Sequence, residues 1–164
     1  MENLKLEEIK KRLNQVVDLI ERYPHSHDQL SWHCGTDHCY GGFVDLICGY
    51  NKNQDLKLIK DVDKIKFSWS YGSLVGLIYK PEFIGDYSMT AIRSIYHLGF
   101  DCNHLLCADN TLFQIKDSID NISNELHKPD QETIKAIKVF EKAGLFYGKW
   151  NHSFDVKSTE QLIY

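Results

Sequence analysis

Between Trp32 and Phe43 the chain reads WHCGTDHCYGGF, which puts two cysteines and two histidines into the seven positions 33–39. His25 and His27 lie just upstream. Three kinds of chemistry suit such a cluster. The first is metal binding, because zinc takes Cys thiolates and His imidazoles four at a time. Cys34-x4-Cys39 is mirrored downstream by Cys102-x4-Cys107, with His104 inside the second pair. The four sulfurs, with His38 and His104 as further donors, form a candidate zinc site. Residues five apart on a helix do not face one another, so each pair has to straddle a helix end to chelate.

The second is nucleophilic catalysis. A helix N-terminus favours the thiolate, and Cys34 and Cys39 both fall near an expected helix start. With His33, His38, His104 or His152 as base, either thiol could serve a hydrolase or transferase acting by acyl transfer. No spacing in the sequence fixes which histidine would pair with which sulfur. The third is architectural. Thr36 is placed as the N-cap of a helix running from Asp37 to Cys48, with Asp37 at the positive end of the helix dipole. Cys39, Phe43 and Ile47 then share a face, where a free Cys behaves as a small buried hydrophobe. Gly41 and Gly42 inside a helix each cost about 0.5–1 kcal/mol relative to Ala, and close approach of a neighbouring backbone is the usual compensation.

The rest of the chain must position this cluster. Leu6, Ile9, Leu13, Val16, Val17 and Ile20 recur at helical spacing over residues 4–22, and Tyr23-Pro24 ends that helix. Gly49 suits the left-handed position that closes the motif helix. Residues 50–68 are rich in Asn, Asp and Lys and read as a loop with a short strand. Residues 72–79, GSLVGLIY, are apolar and too short for periodicity to separate helix from strand. Ser88 reads as the cap of a helix to Leu98, with Met89, Ile92, Ile95 and Tyr96 inward and Gly99 as its stop. Asn110 opens another helix, striped by Ile115, Ile119, Ile122 and Leu126. Asp130 caps a third after Pro129, with Ile134, Ile137 and Phe140 inward and Gly144 closing it. Trp150, His152, Phe154 and Val156 alternate with polar residues, the period of a strand or extended arm. The aromatic residues of that tail (Phe146, Tyr147, Trp150, Phe154 and Tyr164) either cover the helical core or offer a partner surface, self-association included.

The expected architecture is therefore mainly α. One compact domain over residues 1–164 holds a bundle of about five to six helices and a short extended C-terminal arm. A chain of 164 residues buries roughly 70% of its unfolded surface, so its core needs no staples. Composition narrows the partners. The net charge is −4 and the pI about 6.0. No run of Lys or Arg makes the basic face of a nucleic-acid binder. No apolar run approaches the ~20 residues of a membrane span, and the first residues, MENLKLEEIKKRL, lack a signal-peptide core. The expected location is the cytoplasm, where five cysteines, an odd number, read as reduced thiols or metal ligands. There is no P-loop, dinucleotide fingerprint, nucleophile elbow or metalloprotease helix motif.

At the cluster the sequence resembles a family of small bacterial and phage proteins without an assigned activity, which carry a pattern close to C-x-T-x-H-C-x-A-G-W-A. The matching positions are Cys34, Thr36, His38, Cys39, Gly42 and Phe43, with Trp32 as the upstream aromatic and Gly49 at the helix end. Gly41 stands where the family has Ala, and Phe43 where it has Trp. The likeness continues into Tyr71–Tyr79, where the family's helix favours helix over strand, and covers residues 25–98; residues 100–164 fall outside it. It implies a bacterial, phage or mobile-element origin and points to Thr36, Cys39 and Gly42 as residues on which the fold depends. The function expected on these grounds is non-enzymatic binding or regulation of a protein or small-molecule partner, without a cofactor and with an architectural Cys/His motif. The alternatives are the zinc-stabilised domain and the thiol-dependent enzyme.

Overall fold

A computed structural model describes residues 3–28, 33–34, 37–60, 87–99, 105, 109–122, 129 and 131–162. Six α-helices are described: α1 Leu6–Arg22, α2 Tyr40–Cys48, α3 Lys52–Lys60, α4 Tyr87–Leu98, α5 Leu112–Asp120 and α6 Gln131–Lys142. The mainly helical architecture read from periodicity is the one observed. Two-residue strands β1 (His33–Cys34) and β2 (Asp37–His38) pair antiparallel, with His33 opposite His38 and Cys34 opposite Asp37.

Helix α2 is the centre of the bundle. All nine of its residues are buried, and α1 and α4 pack on it. Helix α1 also meets α5, and α4 meets α6. The stripe on α1 faces inward as expected, with Leu13, Val16, Val17 and Ile20 buried and Leu6 and Ile9 at its margin. The hydroxyl of Tyr40 donates to the Leu13 carbonyl at 2.8 Å, tying the start of α2 to the middle of α1. Ile92 and Ile95 on α4, Ile115 and Ile119 on α5, and Ile137 and Phe140 on α6 complete the core. Gly49, Gly99 and Gly144, expected as helix stops, all have positive φ.

Four expectations are corrected. The motif helix begins at Tyr40, not Asp37, because residues 37 and 38 are extended in β2. Thr36 therefore does not cap it; Cys39 does, its Sγ accepting from the Gly42 amide at 3.4 Å. Residues 52–60, read as loop, are helical. Asn51 starts that helix, its Oδ1 accepting from the Gln54 amide at 2.9 Å, so a polar stretch gains a side-chain cap and a helix. Helix α4 begins at Tyr87, which puts Ser88 inside it rather than at its cap. Helix α5 is capped by Thr111 rather than Asn110, through a reciprocal capping box with Gln114. The expectations for residues 61–86, for Leu126 and for Asp130 fall outside the described residues.

After Gly144 the chain does not form a strand. It runs in an irregular course across the ends of α1, α2 and α4, and its rings cover the core. Phe146 stacks on Tyr96 with centroids 3.9 Å apart, and Trp150, Phe154 and Val156 pack at the core margin. The backbone amide of Lys149 donates to the Cys48 carbonyl at 3.0 Å, so the segment also binds one of the carbonyls that the end of α2 leaves open. Gln15 Nε2 donates to the Asn151 carbonyl at 2.8 Å, and Trp150 Nε1 donates to Gln15 Oε1 at 2.9 Å. Arg22 Nη1 reaches Asp155 at 2.7 Å further along.

Two glycines test this packing differently. A Cβ on Gly148 would stand 2.7 Å from the Cys48 carbonyl oxygen and 2.7 Å from the Tyr50 ring. A Cβ on Gly49 meets nothing within 4 Å, but φ is +81°. Gly49→Ala is expected to cost about 1–2 kcal/mol, the left-handed penalty alone. Gly148→Ala should cost more, because backbone has to move. Urea denaturation of both variants checks the order, and a milder loss at Gly148 would contradict the close approach.

Candidate functional site

A buried ion pair helps to bind the C-terminal segment to the bundle. Arg93 lies on α4 and Asp55 on α3, and both side chains are 0% exposed. They meet as a fork: Nη1 donates to Oδ2 at 3.0 Å and Nη2 to Oδ1 at 2.7 Å. The same guanidinium reaches the Leu145 carbonyl, from Nη2 at 3.0 Å and Nε at 3.3 Å. One face of it lies over the Tyr50 ring, 3.7 Å from the centroid. The Tyr147 hydroxyl donates to Asp55 Oδ1 at 2.7 Å and accepts from the Asn51 amide at 2.9 Å. Burial raises the phenol of Tyr147 well above its ordinary range, and that of Tyr50 likewise. Both therefore stay protonated as hydrogen-bonding groups. An adjacent polar contact joins α4 to α2, where Thr90 Oγ1 donates to Asp45 Oδ2 at 3.2 Å.

The Tyr50 hydroxyl is hydrogen-bonded to His97 Nε2. Burial, and then the charges of Arg12 and Arg93, push the His97 imidazole down to about 3. A buried cationic imidazole between two guanidinium groups is the costly form, so His97 is neutral at any physiological pH. Arg12 Nη1 donates to the His97 carbonyl at 2.6 Å, and its Nε pairs with Glu8 at 3.1 Å. The guanidinium also faces the Trp150 ring, 5.2 Å from its centroid.

These contacts border a partly open cavity of about 440 Å³ between α1, α4 and the segment. Arg12 and His97 line it, with the aromatic residues Tyr96, Phe146, Tyr147 and Trp150. Lys149 stands in the same lining with its side chain exposed. A second depression of the same volume lies across the segment, against Leu46, Cys48, Gly49 and Phe154.

The cluster that dominated the sequence is located as follows. Cys39, Gly42 and Phe43 are buried in or at the start of α2, and the Phe43 ring lies 6.3 Å from that of His27. Burial first, and the charge of Asp45 with it, pushes the Cys39 thiol up to about 12, even though the Gly42 and Gly41 amides pull the other way. The helix start therefore does not make this sulfur a thiolate. The backbone of Cys34 and of His38 lies in the strand pair, one residue out of register. Trp32, Thr36, Cys102, His104 and Cys107 lie outside the described residues, as do the side chains of Cys34 and His38. The convergence of the four cysteines thus rests on positions that are not described. Among the described residues, no group of three or more His, Cys, Asp or Glu side chains could hold a metal ion.

Sequence reasoning did not single out Arg93, Asp55 or His97, and it read Tyr147 only as part of the aromatic tail. One signal was present: Arg93 shares a helical stripe with Met89, Ile92 and Tyr96, and a charge at an apolar position asks for a buried partner. Among the described residues, no helix is long and apolar enough to cross a membrane. Comparison with known protein families, with characterised proteins and with solved structures returned no match.

Two outcomes follow from the buried groups. Asp55→Ala strands a guanidinium in the core and should cost about 3–5 kcal/mol, whereas Asp55→Leu combined with Arg93→Met should recover much of that loss. Equilibrium denaturation of the single and double variants decides it. A thiol at about 12 holds roughly a thousandfold less thiolate at neutral pH than an ordinary cysteine. Cys39 should therefore resist iodoacetamide in the native protein and alkylate in urea, as peptide mapping would read. Rapid native labelling of Cys39 would contradict its burial.

Proposed function

We propose that the chain is a non-enzymatic binding protein that takes a small-molecule ligand in the cavity beneath its C-terminal segment, and that Cys39 has an architectural part. The observation that carries this reading is the cavity itself. Its volume of about 440 Å³ lies within the ~300–1,000 Å³ of ordinary ligand pockets. Its lining brings the aromatic residues Tyr96, Phe146, Tyr147 and Trp150 together with Arg12, His97 and Lys149.

The state of the neighbouring titratable groups supports binding over acid–base chemistry. A general acid or base works best with a pKa near the operating pH. His97 is driven far below that range, and Tyr147 far above it. Cys39 faces the core rather than the cavity, and its thiol stays protonated. These groups hold a shape rather than moving a proton. A regulatory role follows naturally on this reading, because the ligand would bridge α1, α4 and the segment.

The test is a ligand-detected NMR screen of a fragment library of mixed charge, against the wild type and a variant whose Lys149→Trp ring blocks the cavity. Fragments should bind the wild type and lose their signals with the blocked protein. Fragments that bind both proteins equally, or none that bind the wild type, would overturn the reading.

A further inference from the structure

Resting on that reading of the cavity, we propose that His97 sets its specificity: the imidazole offers an Nδ1–H donor to the cavity, and the ligand meets it with the uncharged acceptor oxygen of a ketone or amide carbonyl. His97 is buried near the end of α4, and it borders the cavity. One ring nitrogen, Nε2, is taken by the Tyr50 hydroxyl. The other, Nδ1, has no hydrogen-bond partner among the described residues, and it is not sealed from solvent. Buried polar groups normally have their partners inside the protein, so a nitrogen left open beside a cavity is free to meet a guest. The ring is also held in place. Tyr96 stands edge-on to it, 5.0 Å between centroids and at 83°, and Tyr50 tilts against it at 5.5 Å. A donor held this way loses little freedom on binding.

Which nitrogen carries the hydrogen follows from Tyr50. In a neutral imidazole one nitrogen donates and the other accepts, and the bond made by one fixes the part played by the other. The Tyr50 phenol is buried, and burial keeps it protonated. Among the described residues its proton has one acceptor, His97 Nε2. With the hydrogen on Nε2 instead, that phenol proton would be stranded in the core, which interiors avoid. Nε2 therefore accepts, and Nδ1 holds the hydrogen. The ring does not gain a second N–H, because burial and then the charges of Arg12 and Arg93 keep it neutral. Among the described lining residues, no Asp, Glu, Asn or Gln side chain stands ready to answer a donor on the ligand. A carbonyl guest is matched by this wall. A guest of the same shape without an acceptor leaves the N–H unpaired, and a site built to hydrogen-bond rejects such a guest.

The probes are acetophenone and α-methylstyrene, which share a shape and differ in carrying C=O or C=CH2. Each is titrated into the full-length protein and followed by NMR. Acetophenone should bind more tightly by about threefold to tenfold, the net worth of one neutral hydrogen bond, although the alkene is the more apolar guest. Histidine side-chain spectra report the tautomer directly. They should show the His97 hydrogen on Nδ1 in the free protein, and that resonance should move with acetophenone and not with the alkene. His97→Phe keeps a ring and removes the donor, so the preference should fall to near unity. A hydrogen on Nε2 in the wild type would overturn the assignment, and so would a preference that survives in His97→Phe. If that variant does not fold, an Nδ1 resonance indifferent to acetophenone overturns it on the wild type alone. Equal affinity for the two probes would end it while leaving a ligand-binding cavity in place. Binding of neither probe would end it too, and the fragment screen then decides separately whether the cavity takes any ligand at all.

Discussion

The path of the C-terminal segment across this bundle depends on one charge that has been taken out of water. Arg93 is fully buried, and a lone guanidinium there would be intolerable. It is tolerable because its donors are spoken for by Asp55 and the Leu145 carbonyl, while Tyr50 lies against its face. Each partner comes from a different part of the chain. Asp55 brings α3, Leu145 brings the chain just after α6, and Tyr50 brings the turn after α2. Withdrawing any one of these partners would leave part of a buried guanidinium unpaired. Buried ionic groups are poor sources of stability but can specify one arrangement over its competitors. Here the arrangement specified is the path of residues 145–150 across the helix ends.

That dependence explains what could be read from the sequence and what could not. Helix α1, the inward stripes of α4, α5 and α6, and the glycine stops were legible, because each is written in apolar spacing or in a single residue's backbone freedom. Helix α3 was not. Its sequence KNQDLKLIK is polar, and it owes its place to Asn51 as cap and to Asp55 as the partner of a residue 38 positions away. The start of α2 was misplaced by three residues because Thr36 and Asp37 carry the stronger capping preference. The strand pair claims residues 37 and 38 first, and a cysteine is left to do the capping. The alternation of the tail was real, but it records which rings cover the core and not a strand.

The Cys/His cluster shows the same difference between residue type and environment. A cysteine at a helix start is often activated, since the amides there favour the thiolate. Cys39 has those amides, and yet its thiol is raised, because burial outweighs the pull of the Gly42, Gly41 and Cys39 amides. The geometry that suggests reactivity is therefore the geometry of a cap. Reading the sequence alone, one can place a sulfur at a helix end, but the depth of that end inside the protein is a property of α1 and α4 packed around it.

The candidate site inherits its character from this network rather than from any motif. His97 joins the two: its ring is bonded to Tyr50, under which Arg93 lies, and its carbonyl receives Arg12. With a cation on either side, the ring is worth keeping only as a neutral hydrogen-bonding group, and burial ensures it. The consequence reaches the cavity wall. His97, whose ordinary range would make it a switch there, stays neutral instead. On the proposed reading, a ligand there would meet a wall whose histidine stays neutral across the physiological pH range.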